Sequence, residues 1–298
     1  MTIQALQEFI GRHMASAGAL TALAAALDAR ASGAPLDPAV GARVQELLET
    51  LGGGGLLDEV GVQEATIMRS LIRAMHLLDG KLLFAETRAI GWSHAEPEIL
   101  TSIGETARMH ALSATREIIP ACAGLAERMR APGAAMLDVG VGVAGTAIAM
   151  AQMWPELAIV GIDVWQPSLR LARENVERAG VSARISLREQ SVEALADRDA
   201  YDYVYYANAF IPERVAIAGL ERAHAALRPG GWVSIAVSND TAPAPIAALF
   251  RLRETQWGGP AWNPPQGEQV LRDAGYVDVH ALPTTPTAIV RWVVGRCA

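Results

Sequence analysis

The 298-residue chain is 51% hydrophobic and carries 32 acidic against 25 basic residues, a net charge of −7. This supplies core for one large domain or two modest ones, and the acidic balance argues against a nucleic-acid partner, whose phosphates need a basic stripe. Cys122 and Cys297 are too few for a disulfide framework and lack metal-ligand spacing, which fits a reducing cytoplasm; no apolar run reaches the length of a membrane span. Residues 14–27 have the length of a signal-peptide core, but Glu8 lies upstream and alanine dominates, so a soluble helix is expected.

Residues 1 to about 130 carry almost no strand signal. Leu6, Phe9, Ile10, Leu20, Leu23 and Leu27 predict one or two helices over 1–30. Asp37-Pro38 opens a second helix, which Gly52 to Gly55 stop. A third, near 63–78, places Ile67, Leu71, Met75 and Leu78 on one face; the stretch 81–90 is ambiguous and holds at most a short strand. The loop Gly91-Trp92-Ser93-His94-Ala95-Glu96-Pro97 follows, then helices near 97–113 and 115–129 and a hinge at 130–133. Beyond it strands and helices alternate, which implies a parallel sheet. Strands are expected at 136–139, 157–163, 185–187, 203–206, 232–237, 276–282 and 288–295, and a helix over 167–179 ends at Gly180.

The pivotal stretch is Met136-Leu137-Asp138-Val139-Gly140-Val141-Gly142-Val143-Ala144-Gly145. An apolar strand runs into Gly140, Gly142 and Gly145 and then into a helix start. Glycine allows a sharp turn and close approach of a ligand, and a helix N-terminus offers unpaired N–H groups. G-x-G-x-x-G alone is shared by several nucleotide binders. Asp138, two residues before the first glycine, narrows it: nicotinamide-binding turns are usually apolar there. With this acid the stretch resembles the first motif of class I S-adenosylmethionine-dependent methyltransferases.

Asp163 ends the second strand, 18 residues after Gly145, where a carboxylate can accept hydrogen bonds from both ribose hydroxyls of a nucleoside. Val164 and Trp165 follow, placed either to pack on an adenine or to serve as core. Gln190 and Ser191 stand where the resembled family often has an aspartate for the adenine amino group; an amide oxygen or hydroxyl can also accept from it. The turn Arg228-Pro229-Gly230-Gly231 and the entry Ala274-Gly275-Tyr276 are similar to those of the family. The resemblance covers about residue 131 to the last residue; the helical part resembles lid or dimerisation segments of small-molecule methyltransferases more loosely.

The resemblance implies a doubly wound, seven-stranded, mostly parallel α/β sheet with the last strand antiparallel. It implies an α-helical N-terminal cap and dimerisation region (1–130) before an S-adenosylmethionine-binding domain (131–298). It also implies methyl transfer to a small organic acceptor of secondary metabolism on oxygen, nitrogen or carbon, leaving S-adenosylhomocysteine. A homodimer is expected, with no membrane and no nucleic-acid partner. Tyr206, Asn208 and Phe210 follow the fourth strand, with Asn208 a candidate for the cofactor and Tyr206 and Phe210 for the acceptor; Trp92 and Trp257 are further acceptor candidates, in aromatic loops. An oxygen or carbon acceptor needs a base, for which His94 and His110 are the candidates; His110, on an apolar stripe, also has a bland reading as a core histidine. The six histidines show no metal-ligand spacing, so no metal is expected. Two rivals remain. A nicotinamide-dependent oxidoreductase also satisfies Gly140, Gly142, Gly145 and Asp163, though no hydride-transfer pair is visible; the other is a non-catalytic S-adenosylmethionine-binding regulator.

Overall fold

The computed structural model describes residues 3–83 and 90–298. The chain forms two compact units, Met1–Phe84 and Ala85–Ala298. The first holds α1 (Ile3–Ser32), α2 (Pro38–Thr50) and α3 (Val62–Leu83). The Asp37 carboxylate caps α2 by accepting from the Ala39 and Val40 amides, and Pro38 fits the first turn, where no N–H is needed. Among the described residues of these helices, Leu27, Leu48, Ala65, Ile67, Ser70, Ala74 and Leu78 are buried. Helix α3 outlasts its expected end and includes Lys81; the rest of the ambiguous stretch, 84–89, lies outside the described residues.

The second unit begins with α4 (Pro97–Ser113), α5 (Ile119–Ala121) and α6 (Leu125–Arg130). The helix expected over 115–129 is therefore broken. Its first part runs on from α4 through a π-helical turn (Ala114–Ile118) into α5, and the break comes after Ala121, where Cys122 is extended and Gly124 takes a left-handed φ of 75°. The packing boundary also differs from the hinge expected at 130–133. It falls between Phe84 and Ala85, because Ala111, Ala114, Ile118, Leu125 and Met129 share one core with the sheet.

That sheet comprises β1 (Ala135–Val139), β2 (Ala158–Asp163), β3 (Ile185–Glu189), β4 (Tyr201–Tyr206), β5 (Leu227–Ser238), β6 (Val277–Ala281) and β7 (Val290–Arg296) in the order 3-2-1-4-5-7-6, with β7 antiparallel to both neighbours. The helices α7 (Gly145–Met153), α8 (Gln166–Arg178), α9 (Glu213–Ala226), α10 (Ala244–Trp257) and α11 (Pro264–Asp273) complete the unit. Central parallel strands bury both faces, so β1 and β4 read as near-continuous apolar or aromatic runs. Their period of two splits them between two cores. Met136, Tyr203 and Tyr205 pack with α7 and α8; Leu137, Val139, Val204 and Tyr206 pack with α9 and α11. Order reverses between β1 and β4, so the crevice at their carboxyl ends is the natural ligand site.

Candidate functional site

The glycine turn leaves β1 at that crevice. Gly140 and Val141 donate to the Ile162 carbonyl at 2.9 and 3.0 Å, which ties the turn to β2. Gly140, Gly142 and Ala144 have φ of 76°, 55° and 66°, and α7 starts at Gly145. The three glycines do different work. A Cβ on Gly142 would meet only the Gly140 carbonyl, 4.0 Å away, so the surface there is open to a ligand. A Cβ on Gly145 would run into the Gly104 carbonyl of α4; here glycine serves the α4–α7 contact.

Two carboxylates flank the turn. Asp138 is 1% exposed, and neither of its oxygens has a hydrogen-bond partner. Burial, then the nearby Asp163 charge, pushes it up to about 7, and the approaching Ala147 backbone N–H offsets this only in part. Asp163 accepts from the Gly142 amide and from the Trp165 amide, both at 2.8 Å, so one side chain braces the turn and the segment after β2. Burial raises its pKa against these amides, which lower it. An orphaned buried carboxyl, a braced second one and an open glycine surface at a helix start fit a ligand rich in hydrogen-bond donors.

Beyond β2, Val164 is exposed and Trp165 half-buried, with the Trp165 indole N–H donating to the His94 carbonyl at 2.7 Å. The Gln190 amide nitrogen donates to the Ala194 carbonyl, and Ser191 precedes a short 3-10 turn. On the α7 face of β4, the Tyr205 hydroxyl lies 2.6 Å from His110 Nδ1. Tyr205 is the register partner of Asp138, and its ring and that of His110 both contact Trp292. Burial lowers His110 to about 4, so the ring is neutral at pH 7.

Aromatic side chains from three segments meet in one group. Trp92 stands edge-on to His94 (5.0 Å between centroids) and to Phe210 (5.1 Å), and Phe210 stacks on Trp257 at 4.9 Å. The structure thus joins Trp92 and His94 of one loop with Phe210 and Trp257, from segments far apart in sequence. Two other expected site residues are placed elsewhere. Tyr206 is fully buried on the α9 side, with its hydroxyl donating to the Ala216 carbonyl at 2.9 Å, because alternation along β4 turns it away from Tyr205. Asn208 is also buried, and its amide bonds the Ala236 carbonyl and N–H at 2.9 and 3.1 Å; this brackets the 208–210 turn to β5 and leaves little of the amide for a cofactor. Sequence reading also passed over Glu254, a buried carboxyl on α10 beside the aromatic group. It follows Arg251 and Arg253 on a helix, where a charge run reads as a solvated face. Among the described residues no group of three or more His, Cys, Asp or Glu side chains could hold a metal ion.

A model of the methyltransferase domain family matches residues 136–231, the span from β1 into β5. Release factor glutamine methyltransferase of Geobacter sulfurreducens is 39% identical over 85 residues, 28% of this chain and 29% of that protein, so the match spans under a third of the curated relative's length. Three solved structures have the same fold over nearly the whole chain. PigF with S-adenosylhomocysteine has a TM-score of 0.64 at 18% identity, with 99% of each chain covered. Human N-acetylserotonin methyltransferase with S-adenosylmethionine has 0.61 at 16%, covering 99% of this chain and 98% of that one. The pyocyanin biosynthetic protein PhzM has 0.63 at 16%, covering 99% and 98%. The sheet order and antiparallel β7 are those of the class I methyltransferase fold, as the glycine motif and its aspartate led one to expect. The glycine turn and both flanking carboxylates lie inside the matched span, whereas the aromatic group draws on residues at both sides of it.

Proposed function

We propose that the protein transfers a methyl group from S-adenosylmethionine to a small organic acceptor and releases S-adenosylhomocysteine. The carrying observation is the orphaned Asp138 carboxyl beside the open glycine turn. When bound, the cofactor supplies an electrophilic methyl on a sulfonium. Asp163 takes the ribose hydroxyls and Asp138 accepts from donors of the cofactor. Val164 and Trp165 flank the adenine, and Gln190, whose amide oxygen has no assigned bond, or Ser191 accepts from its amine. The turn from Gly140 to Gly145 lets the cofactor lie against backbone.

The acceptor lies against Trp92, Phe210 and Trp257, and the chemistry asks of the protein alignment and exclusion of water. Where a proton must leave, His94 is the base: its ring lies in the aromatic group, with the Glu96 carboxylate 3.9 Å from Nδ1. His110 is the positioning partner of Tyr205. The acceptor class is that of secondary metabolism, as with the pyocyanin biosynthetic protein PhzM. Thermal shift separates this reading from the nicotinamide rival: S-adenosylhomocysteine raises Tm and NADH does not, and the reverse result refutes it.

The helical first unit pairs two copies. Ile3, Leu6, Phe9, Ile10 and Met14 are exposed on α1 at helical spacing, and Val40 is exposed on α2. Light scattering is expected to give a dimer. Charged replacements at Leu6 and Ile10 are expected to give a monomer that keeps cofactor affinity; a wild-type monomer contradicts the pairing. No described helix is long and apolar enough to cross a membrane, and we place the reaction in the cytoplasm, where the free Cys122 and Cys297 stay reduced.

A further inference from the structure

Glu254 is 1% exposed, yet its Oε2 has no hydrogen-bond partner. Its helix, α10, packs on the 208–210 turn, and a Cβ on Gly259, just past the helix, would strike Ala209. Phe250, one turn before Glu254, and Trp257, three residues after it, share its helix face and are in edge contact with each other. Trp257 in turn stacks on Phe210. A carboxyl is thus held in the wall of the aromatic group with an acceptor oxygen unspent. Burial pushes it up to about 7, and the Arg251 charge offsets this only in part. Buried polar atoms without partners are rare, and a folded chain keeps one where a ligand completes it. A hydrophobic side chain of similar size would fill the space without that penalty.

We infer that Glu254 is a specificity-determining residue of the acceptor site: its carboxyl accepts a hydrogen bond from a hydroxyl on an aromatic acceptor lying against Trp257 and Phe210. The inference rests on the methyl-transfer reading and narrows the acceptor to a hydroxylated aromatic. A carboxyl that must be matched rejects analogues lacking the donor far better than an apolar wall does. Stacked rings already in contact favour a flat neutral ring over a cage around an ammonium group.

The test uses the full chain saturated with S-adenosylhomocysteine and three probes: 2-naphthol, its methyl ether, and 1-naphthylmethylammonium, titrated by tryptophan fluorescence. The wild type is expected to bind naphthol about tenfold tighter than the ether, the scale of one hydrogen bond to a buried partner. Glu254→Leu is expected to bind the two alike, and Glu254→Gln, which keeps an acceptor oxygen, to retain part of the preference. Both variants should keep cofactor affinity, and Glu254→Leu should melt no lower than wild type. Equal naphthol and ether binding by wild type, no binding of either, a preference for the ammonium probe, or a preference that survives Glu254→Leu each overturns the inference. A fall in Tm in both variants with the preference intact marks Glu254 as structural and overturns it too. Calorimetry with S-adenosylhomocysteine alone isolates the parent reading: failure there refutes methyl transfer, whereas cofactor binding with no probe discrimination refutes only the role of Glu254.

Discussion

Asp163→Ala is expected to weaken S-adenosylhomocysteine binding by at least tenfold in calorimetry while the protein stays folded. The carboxylate would bond the ribose hydroxyls, and hydrogen bonds to a charged group are worth about 1.5–3 kcal/mol. It also braces Gly142 and Trp165 through their amides, so its loss loosens the turn on one side and the adenine wall on the other. Gly142→Val reaches the same end by another route. Its φ of 55° costs roughly 1–2 kcal/mol for an L residue, and the new side chain stands in the open space that a ligand would take. Gly142→Ala carries the same backbone cost with less obstruction and should lose less affinity. Gly145→Val behaves differently: it strikes the Gly104 carbonyl and appears as lost folding stability. Full affinity in folded Asp163→Ala removes the ribose assignment.

The second large effect is expected at His94. For a hydroxyl acceptor, His94→Ala should lower kcat by about 10²–10⁴-fold, the usual worth of a positioned base, with cofactor affinity unchanged. His110→Phe should instead alter pH behaviour. The buried ring stays neutral down to about pH 4, whereas in the unfolded chain it takes a proton near 6.5. Its folded pKa lies below the unfolded one, so its neutral form supports the fold above about 6.5, and that support drains as pH falls toward 4. Urea melts of wild type and His110→Phe should diverge across this window. Were His110 the base, kcat/KM would hold from pH 7 down to about 4 and then fall. A limb there that His110→Phe abolishes would pass the role from His94 to His110; unchanged kcat in folded His94→Ala would leave alignment alone to carry the reaction.

What the sequence made legible was local. Asp138, the three glycines and Asp163 lie in one strand–turn–helix–strand unit, and the β-strands announce themselves as apolar runs between turn residues. The aromatic group was legible only as separate candidates, since Trp92, Phe210 and Trp257 meet through chain crossings that periodicity does not encode. Tyr205 and Tyr206 looked alike; only the face each takes in β4 sends one to His110 and the other to the α9 core. Asn208 is a cofactor candidate by sequence because its pairing with Ala236, one strand away in β5, is visible only in the fold. The sequence sets no boundary between the helices before 84 and those in 97–130, which look alike; what distinguishes the latter is that Ala111, Ile118 and Met129 bury against the sheet.

The central claim is methyl transfer to a small molecule, and methyl-tritiated S-adenosylmethionine tests it most directly. The protein is incubated with a panel of hydroxylated aromatic, amine and keto-acid compounds, then label is followed into the small-molecule fraction. The account predicts label in a hydroxylated aromatic, one S-adenosylhomocysteine formed per methyl, with the signal reduced in Asp163→Ala at cofactor concentrations below saturation. Cofactor binding with no label leaving it, or label found only in protein or nucleic acid, would contradict it.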